Sequence, residues 1–362
     1  MKLLGNLPDP FLAEIAGQPE AIRRAADAVA AQAPSLARLR DESASRTPVF
    51  TGMGSSYFAC YAPVTALAEA GILAPQIDSA EVLHFRRAAL GPGSLLVVVS
   101  QSGESAEAVR LLRLVREAGS PDGAGRPFVV SVTNGLGSSV AGAADLALDT
   151  KAGEEHGPST MTFAGALVVL AALGRVLSGA DVDRAVGWVG EQAARAATAA
   201  EALLGDAAAR AAEYRSWLGA RGTLATLGRG AARAAAEMGA LALKEAARFP
   251  AESLEAAQFR HGPLELAGPE LAAAVIATEP ATRALDEGLA GELVEAGAAV
   301  LLCTPEGGAP GGALSVAVGD VDPSLAPAVA VIPLQLLAWS LALERGREPG
   351  AFTIASKVTT RE

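Results

Sequence analysis

The sequence predicts an α/β protein of two tandem lobes, each a doubly wound parallel sheet flanked by helices. Three observations predict it. At 362 residues the chain exceeds what one core usually organises. Short apolar runs alternate with helical segments, the pattern of βαβ units and a sheet covered on both faces. The pattern then returns: Gly52 and Gly228, Ser100 and Thr278, and Thr133 and Thr304 end matching runs at a nearly constant offset of roughly 175 residues, which indicates duplication.

Each element follows from local signals. Residues 11–45 read as helix, because Ile22, Ala25, Ala26 and Val29 recur at helical spacing and Pro19 suits a helix start. Pro48 to Thr51 is a strand, followed by Gly52-Met53-Gly54-Ser55-Ser56 and a helix from Tyr57 to Ala70. Leu95 to Val99 is a strand running into Ser100-Gln101-Ser102-Gly103-Glu104 and a helix from Ser105 to Ala118. Pro127 to Val132 is the third strand of this lobe. In the second lobe, strands fall at Leu224 to Leu227, Ala273 to Ala277 and Val300 to Cys303. A last helix spans about Ala328 to Glu344. The expected division is an N-terminal helical segment 1–46, a first lobe 47–153, a helical connector 154–218, a second lobe 219–345 and a tail 346–362.

Composition narrows the function classes. A hydrophobic content of 51% with 19% charged residues fits a folded globular chain. The net charge of -11 argues against nucleic acid, whose phosphates need clustered Lys and Arg. A local nest of backbone N–H groups still binds a small anion. Cys60 and Cys303 lie far apart in apolar runs and read as buried free thiols of a reducing compartment. With no Cys-x-x-Cys and only three His, no metal site is expected. The start of the chain lacks a signal-peptide pattern and the apolar runs are broken by Gly, Pro or charge, so a cytoplasmic chain without a membrane span is expected.

Ligands of an open parallel sheet bind outside the carboxyl ends of its strands. Ser100 to Ser105 lies there. Gly103 permits a tight turn, Ser100, Ser102 and Ser105 add hydroxyls, and a helix N-terminus follows. The alternative is a capped helix start with Ser105 as the cap. The matching turn Thr278-Glu279-Pro280 lacks the Ser cluster and carries a carboxylate, so only one copy looks built for an anion. Gly52-x-Gly54 is no dinucleotide fingerprint, since Tyr57 replaces the third glycine; no cofactor is expected.

Glu245, late in an apolar helix, and His261, before Gly262-Pro263, form an acid/base pair suited to moving protons. The plainer reading is a helix-end Glu and a turn His. His84 reads as a surface or interface residue, His156 as a ligand contact or a loop residue, and Tyr214 and Trp217 as packing. Arg229 serves either a ligand, a partner subunit or an ion pair.

Glu14 to Ile22, Gly54-Ser55-Ser56-Tyr57, Ser100 to Ser105, Ala152-Gly153-Glu154-Glu155, Leu227 to Gly230, Leu243-Lys244-Glu245, Arg260 to Pro263, Pro333 to Ala338 and Lys357-Val358-Thr359 follow one another in an order that resembles the SIS (sugar isomerase) family. The likeness is to the isomerase half of glucosamine-6-phosphate synthase and to stand-alone aminosugar-phosphate deaminases, and covers nearly the whole chain. It implies tandem flavodoxin-like SIS lobes without a glutaminase domain. It implies that Ser55, Ser56, Ser100, Gln101, Ser102 and Ser105 hold a sugar phosphate, that Glu245 moves a proton between C1 and C2, and that His261 assists ring opening. The His261 loop would cross into a partner's site in a homodimer. Lys357 would be the lysine nearest the carbonyl, where an imine is possible.

The sequence departs from the synthases at Ala242 and Met161, where they carry lysines, and holds only Lys2, Lys151, Lys244 and Lys357. The expected activity is isomerisation of an aminosugar 6-phosphate with loss of ammonia, glucosamine 6-phosphate giving fructose 6-phosphate. The alternatives are a fructosamine-phosphate deglycase and a non-catalytic sugar-phosphate sensor.

Overall fold

The computed structural model describes residues 9–119 and 125–361. Residues 1–8 of the expected N-terminal segment, 120–124 of the first lobe and Glu362 of the tail lie outside the described residues. The chain divides into two compact units. Among the described residues, one comprises 21–119, 125–153, 162–194 and 358–361; the other comprises 9–20, 154–161 and 195–357.

In the first of these, β1 (Thr47–Thr51), β2 (Ser94–Val99), β3 (Phe128–Thr133) and β4 (Leu146–Asp149) form an all-parallel sheet in the order β1-β2-β3-β4. In the other, β5 (Leu224–Gly228), β6 (Ala251–Glu255), β7 (Ala272–Ile276), β8 (Ala299–Thr304) and β9 (Leu314–Ala317) pair in parallel in the order β6-β5-β7-β8-β9. Counted from its own first strand this is 2-1-3-4-5, the flavodoxin-like doubly wound order. The first sheet keeps the same plan with its second strand reduced to a single bridge. Phe50 pairs in parallel with Gln76 at the edge of β1, donating to the Pro75 carbonyl at 2.8 Å and accepting from the Ile77 N–H at 3.0 Å. Pro75 has no N–H to extend a ladder, and Asp78 turns the chain by capping the helix Ser79–Glu81.

The two sheets share β-strand logic. Leu95 to Val99 and Val300 to Thr304 are buried along their whole length, as strands covered on both faces must be. All six expected strands form, with ends shifted by a residue or two. β4, β6 and β9 were not expected, being short, mixed in polarity or Ala-rich.

The single helix expected over 11–45 is three: Pro10–Ala16, Gln18–Ala31 and Ala33–Ser43. Gly17 closes the first, where a Cβ would sit 2.7 Å from the Met161 sulfur, and a proline sits in the first turn of the third. Asp9 caps the first helix, one oxygen accepting from Phe11 N at 3.0 Å and the other from the Trp339 indole at 2.5 Å. The expected last helix is also divided, into Ala326–Ala330 and Ile332–Glu344. Ala326–Glu344 is long and apolar enough to span a membrane, contrary to the expectation from broken runs, but 94% of it is buried inside the fold. It packs on the helices Ala232–Ala247 and Ala207–Leu218, so it is read as a core segment.

Candidate active site

The Ser100–Ser105 turn lies beyond the carboxyl end of β2, beside the Gly52–Ser56 turn that follows β1. In the 2-1-3 order these two strands flank the topological switch point, where open α/β sheets bind ligands. Gly52 lets the two turns meet, since a Cβ there would lie 2.9 Å from the Val99 carbonyl. Ser56 Oγ then accepts from Gln101 N at 3.3 Å. Gly103 has φ +64°, and a Cβ on it would fall 2.0 Å from Ser138 Oγ, so the turn needs glycine on both conformational and steric grounds.

The hydroxyls are not spent on capping the next helix. Ser105 occupies the N-cap position of Ala106–Ala118 without a side-chain cap bond. Its Oγ lies 3.2 Å from Ser100 Oγ, which accepts from Gly103 N at 3.2 Å. Ser102 Oγ accepts from Glu104 N at 3.1 Å. The Glu104 carboxylate is drawn to Ser139 N at 2.7 Å, which holds its pKa below the ordinary value and satisfies it outside the turn. A small depression opens here, lined by Ser55, Ser56, Gln101, Thr133, Asn134 and Thr150. Asn134 organises its far wall: its Oδ1 accepts from Thr150 Oγ1 at 3.0 Å and Ala152 N at 2.9 Å, and its amide donates to Gly153 O at 2.7 Å. The sequence reading left Thr133, Asn134 and Thr150 without a role. Their signal is position, Thr133 at the carboxyl end of β3 and Asn134 and Thr150 just past the ends of β3 and β4.

The other unit supplies a control. At its own switch point, beyond β5 and β7, the Glu279 carboxylate accepts from Ala231 N at 2.6 Å at the start of the helix Ala232–Ala247. A Cβ on Gly230 would meet the same carboxylate at 2.9 Å. The second lobe thus fills its anion position with its own side chain, whereas the first lobe lines the equivalent position with hydroxyls. Arg229 resolves as an ion-pair residue, with its guanidinium 2.7 Å from Asp286 and 3.4 Å from Glu255.

Glu245 sits in the last turn of Ala232–Ala247. The helix stops just beyond it with Arg248 in the left-handed region, φ +48°, and Phe249 N bonded to Leu243 O at 3.0 Å. Burial raises the Glu245 pKa to about 7; Lys357 draws it down and Glu155 pushes it up. Lys357 Nζ donates to Glu155 Oε2 at 2.6 Å and to the Gly157 carbonyl at 2.7 Å. Glu155 is buried, and its other oxygen accepts from Thr160 N and Oγ1 at 2.8 and 2.9 Å. Glu14 fixes the same loop from the first helix, accepting from His156 N at 2.6 Å and Gly157 N at 3.1 Å. Burial raises the Glu14 pKa against those two N–H bonds. The structure therefore brings together Glu245, Lys357 and Glu155. Glu14 and Glu155 lie within stretches that carry the resemblance but received no role there, and neither did Thr160.

His261 lies exposed on the turn after the helix Ala256–Phe259, its N–H bonded to Gln258 O at 2.9 Å. Among the described residues no hydrogen bond or ion pair joins its ring to Glu245 or Lys357. His156 is an exposed loop residue whose ring lies 3.6 Å from Glu154. His84 is exposed beside Phe85, Tyr214 is buried in packing, and Cys60 and Cys303 are free and buried.

The SIS domain profile matches residues 43–174 and 219–345. The chain belongs to the SIS domain family. It is 31% identical to glutamine–fructose-6-phosphate aminotransferase (isomerizing) of Thermococcus kodakarensis, over 94% of this chain and 56% of that protein. It is also 31% identical to the enzyme of that name from Pyrobaculum aerophilum, over 100% of this chain and 59% of that protein. This SIS chain thus spans about half the length of the curated relatives it matches. Among solved structures it resembles the C-terminal domain of glucosamine-fructose-6-phosphate aminotransferase from Francisella tularensis, with TM-score 0.82 and 23% identity over 94% of this chain and 97% of that one. Glucosamine-6-phosphate deaminase from Thermotoga maritima follows the same fold, with TM-score 0.70 and 19% identity over 96% and 99% of the two chains.

Proposed function

We propose that this SIS chain is a phosphosugar isomerase that acts on an aminosugar 6-phosphate and releases ammonia, converting glucosamine 6-phosphate and water into fructose 6-phosphate and ammonia. The observation that carries the reading is Glu245, a carboxyl group poised near pH 7 beside a lysine, which is what a reversible proton carrier between adjacent carbons requires. A sensor that only binds its ligand needs no such group. Ser55, Ser56, Ser100, Gln101, Ser102 and Ser105 hold the phosphate. Glu245 moves the proton between C2 and C1 of the open-chain sugar. Water then replaces the nitrogen at C2 and ammonia leaves.

His261 assists ring opening from the neighbouring subunit of a homodimer, a role that its exposure and its lack of a bond to Glu245 support. The free buried thiols support a cytoplasmic location.

Ammonia release coupled to fructose 6-phosphate detection tests the reading. Turnover of glucosamine 6-phosphate is the expected result. Ammonia-free release of an amino acid from a fructosamine phosphate would replace it with deglycase activity, and tight binding of sugar phosphates without turnover of either would replace it with a sensor. Because Glu245 must be ionised to accept the proton, kcat/KM is expected to rise with pH and level off above about 7, read from a pH–rate profile.

A further inference from the structure

We propose that Arg229 is a positioning residue for His261: through Glu255 it fixes the turn that presents the histidine, and Asp286 holds Arg229 to that task. The catalytic part of the inference rests on the proposed role of His261 in ring opening.

Arg229 follows β5 directly, at the carboxyl end of the sheet, and keeps only 11% of its side-chain surface. Its guanidinium joins two acidic groups from different elements. Nη1 donates to Asp286 Oδ1 at 2.7 Å, and Nε lies 3.4 Å from Glu255 Oε1. Asp286 is fully buried in the helix Arg283–Glu295, and its second oxygen accepts from Thr282 Oγ1 at 3.2 Å. Glu255 ends β6 and caps the helix Ala256–Phe259, its Oε2 accepting from Gln258 N at 2.8 Å. The Gln258 carbonyl in turn accepts from His261 N at 2.9 Å. Next to the histidine, Arg260 pairs with Glu292 through two bonds of 2.7 and 2.9 Å. The helix Arg283–Glu295 thus anchors both ends of the segment 255–260, by an exposed clamp at Arg260 and a buried one at Arg229.

The first lobe shows that the fold does not require the buried clamp. At the offset that relates the two lobes, Met53 stands for Arg229 and Asp78 for Glu255. Asp78 caps its helix, Ser79–Glu81, in the same way, accepting from Glu81 N at 2.9 Å, and the matching Met53 has no charge to brace it. Burying Arg229 and Asp286 carries a desolvation cost that a methionine avoids. The second lobe accepts that cost where its cap leads into His261. An arginine suits the task, because its planar fork addresses two carboxylates from one rigid group. Misplacing a catalytic group by 1 Å can lower a rate about 10²-fold, so a braced turn serves catalysis beyond what folding needs.

Glu255→Asp isolates the clamp. Aspartate keeps the charge and, as Asp78 shows, the cap, but is one methylene shorter toward Arg229. The double variant Arg229→Met, Asp286→Asn removes the same clamp without leaving Asp286 as an unpaired buried charge. The intact chain is labelled with carbon-13 at the imidazole Cε1 of His84, His156 and His261, its three histidines. Both variants are expected to shift or broaden the His261 NMR signal and to leave those of His84 and His156 in place, which reports an intact fold. In deuterium oxide, exchange of the C1 protons of fructose 6-phosphate is expected to fall at least about tenfold in both. Exchange with 5-deoxyfructose 6-phosphate, which has no 5-hydroxyl to close a ring, is expected to stay within about twofold of the wild type. A mere loss of folded protein would lower the two rates together. An unmoved His261 signal in a folded variant, or equal losses with the two sugars, would overturn the proposal. No exchange by the wild type with either sugar would remove the isomerase reading instead, while the His261 signal still decides whether Arg229 fixes the turn.

Discussion

Glu245→Gln is expected to lower kcat by roughly 10²–10⁴-fold, the usual contribution of a positioned acid/base group, while leaving the affinity for sugar phosphates nearly unchanged. The amide keeps the size of the side chain and loses only the ability to carry a proton. Steady-state kinetics and calorimetric titration with a sugar phosphate separate the two effects. The substitution has a second expected consequence for stability. Folding raises the Glu245 pKa from 4.5 to about 7, so the folded chain holds this proton more tightly than the unfolded one. The stabilisation is fully present below pH 4.5 and is lost as pH rises through about 7. The glutamine variant lacks this loss, and its thermal midpoint at pH 8 is expected to exceed that of the wild type. A midpoint at or below the wild type at pH 8 would contradict the burial argument for Glu245.

Gly103→Ala is expected to damage both the cradle and the fold around it. A non-glycine residue at φ +64° is disfavoured by about 1–2 kcal/mol. The new methyl group would also meet Ser138 Oγ at 2.0 Å and force Ser138 to move. Ser138 caps the helix Ser139–Ala143 through Ala141 N at 3.3 Å, so the shift propagates into that helix. A total loss of about 2 kcal/mol or more is expected from denaturant unfolding, with sugar-phosphate binding weakened beyond detection at millimolar ligand. Gly142→Ala is the matched control. It lies in the same short helix with nothing within 4 Å of its Cβ position, and is expected to leave binding and stability almost unchanged.

Strands such as Leu95 to Val99 announce themselves because burial on both faces demands an unbroken apolar run. The Ser100–Ser105 turn was legible because glycine and hydroxyl residues cluster where a strand ends. β6 was not, since Ala251-Glu252-Ser253-Leu254-Glu255 is a largely polar edge strand buried only at Ala251 and reads as loop. The second strand of the first sheet, reduced to a bridge at Gln76, leaves no apolar pattern at all. The cluster around Glu245 was legible only in part. Glu245 and Lys357 were singled out, but Glu155 and Glu14 act through contacts that join residues 155 to 357 and 14 to 157, and no local pattern encodes such pairs. The self-occupied second lobe was foreshadowed by the carboxylate of Glu279, yet its capture by Ala231 N required the three-dimensional turn.

On the proposed reading Glu245 carries a proton between adjacent carbons of a phosphorylated sugar. Solvent exchange measures that step whatever follows it. Fructose 6-phosphate and glucosamine 6-phosphate are incubated separately with the chain in deuterium oxide, and the C1 and C2 protons are followed by NMR. Deuterium incorporation at these carbons by the wild type, reduced at least about 10²-fold in Glu245→Gln, is the predicted result. Exchange that persists unchanged in the variant would contradict the account, as would its absence from the wild type with both sugars.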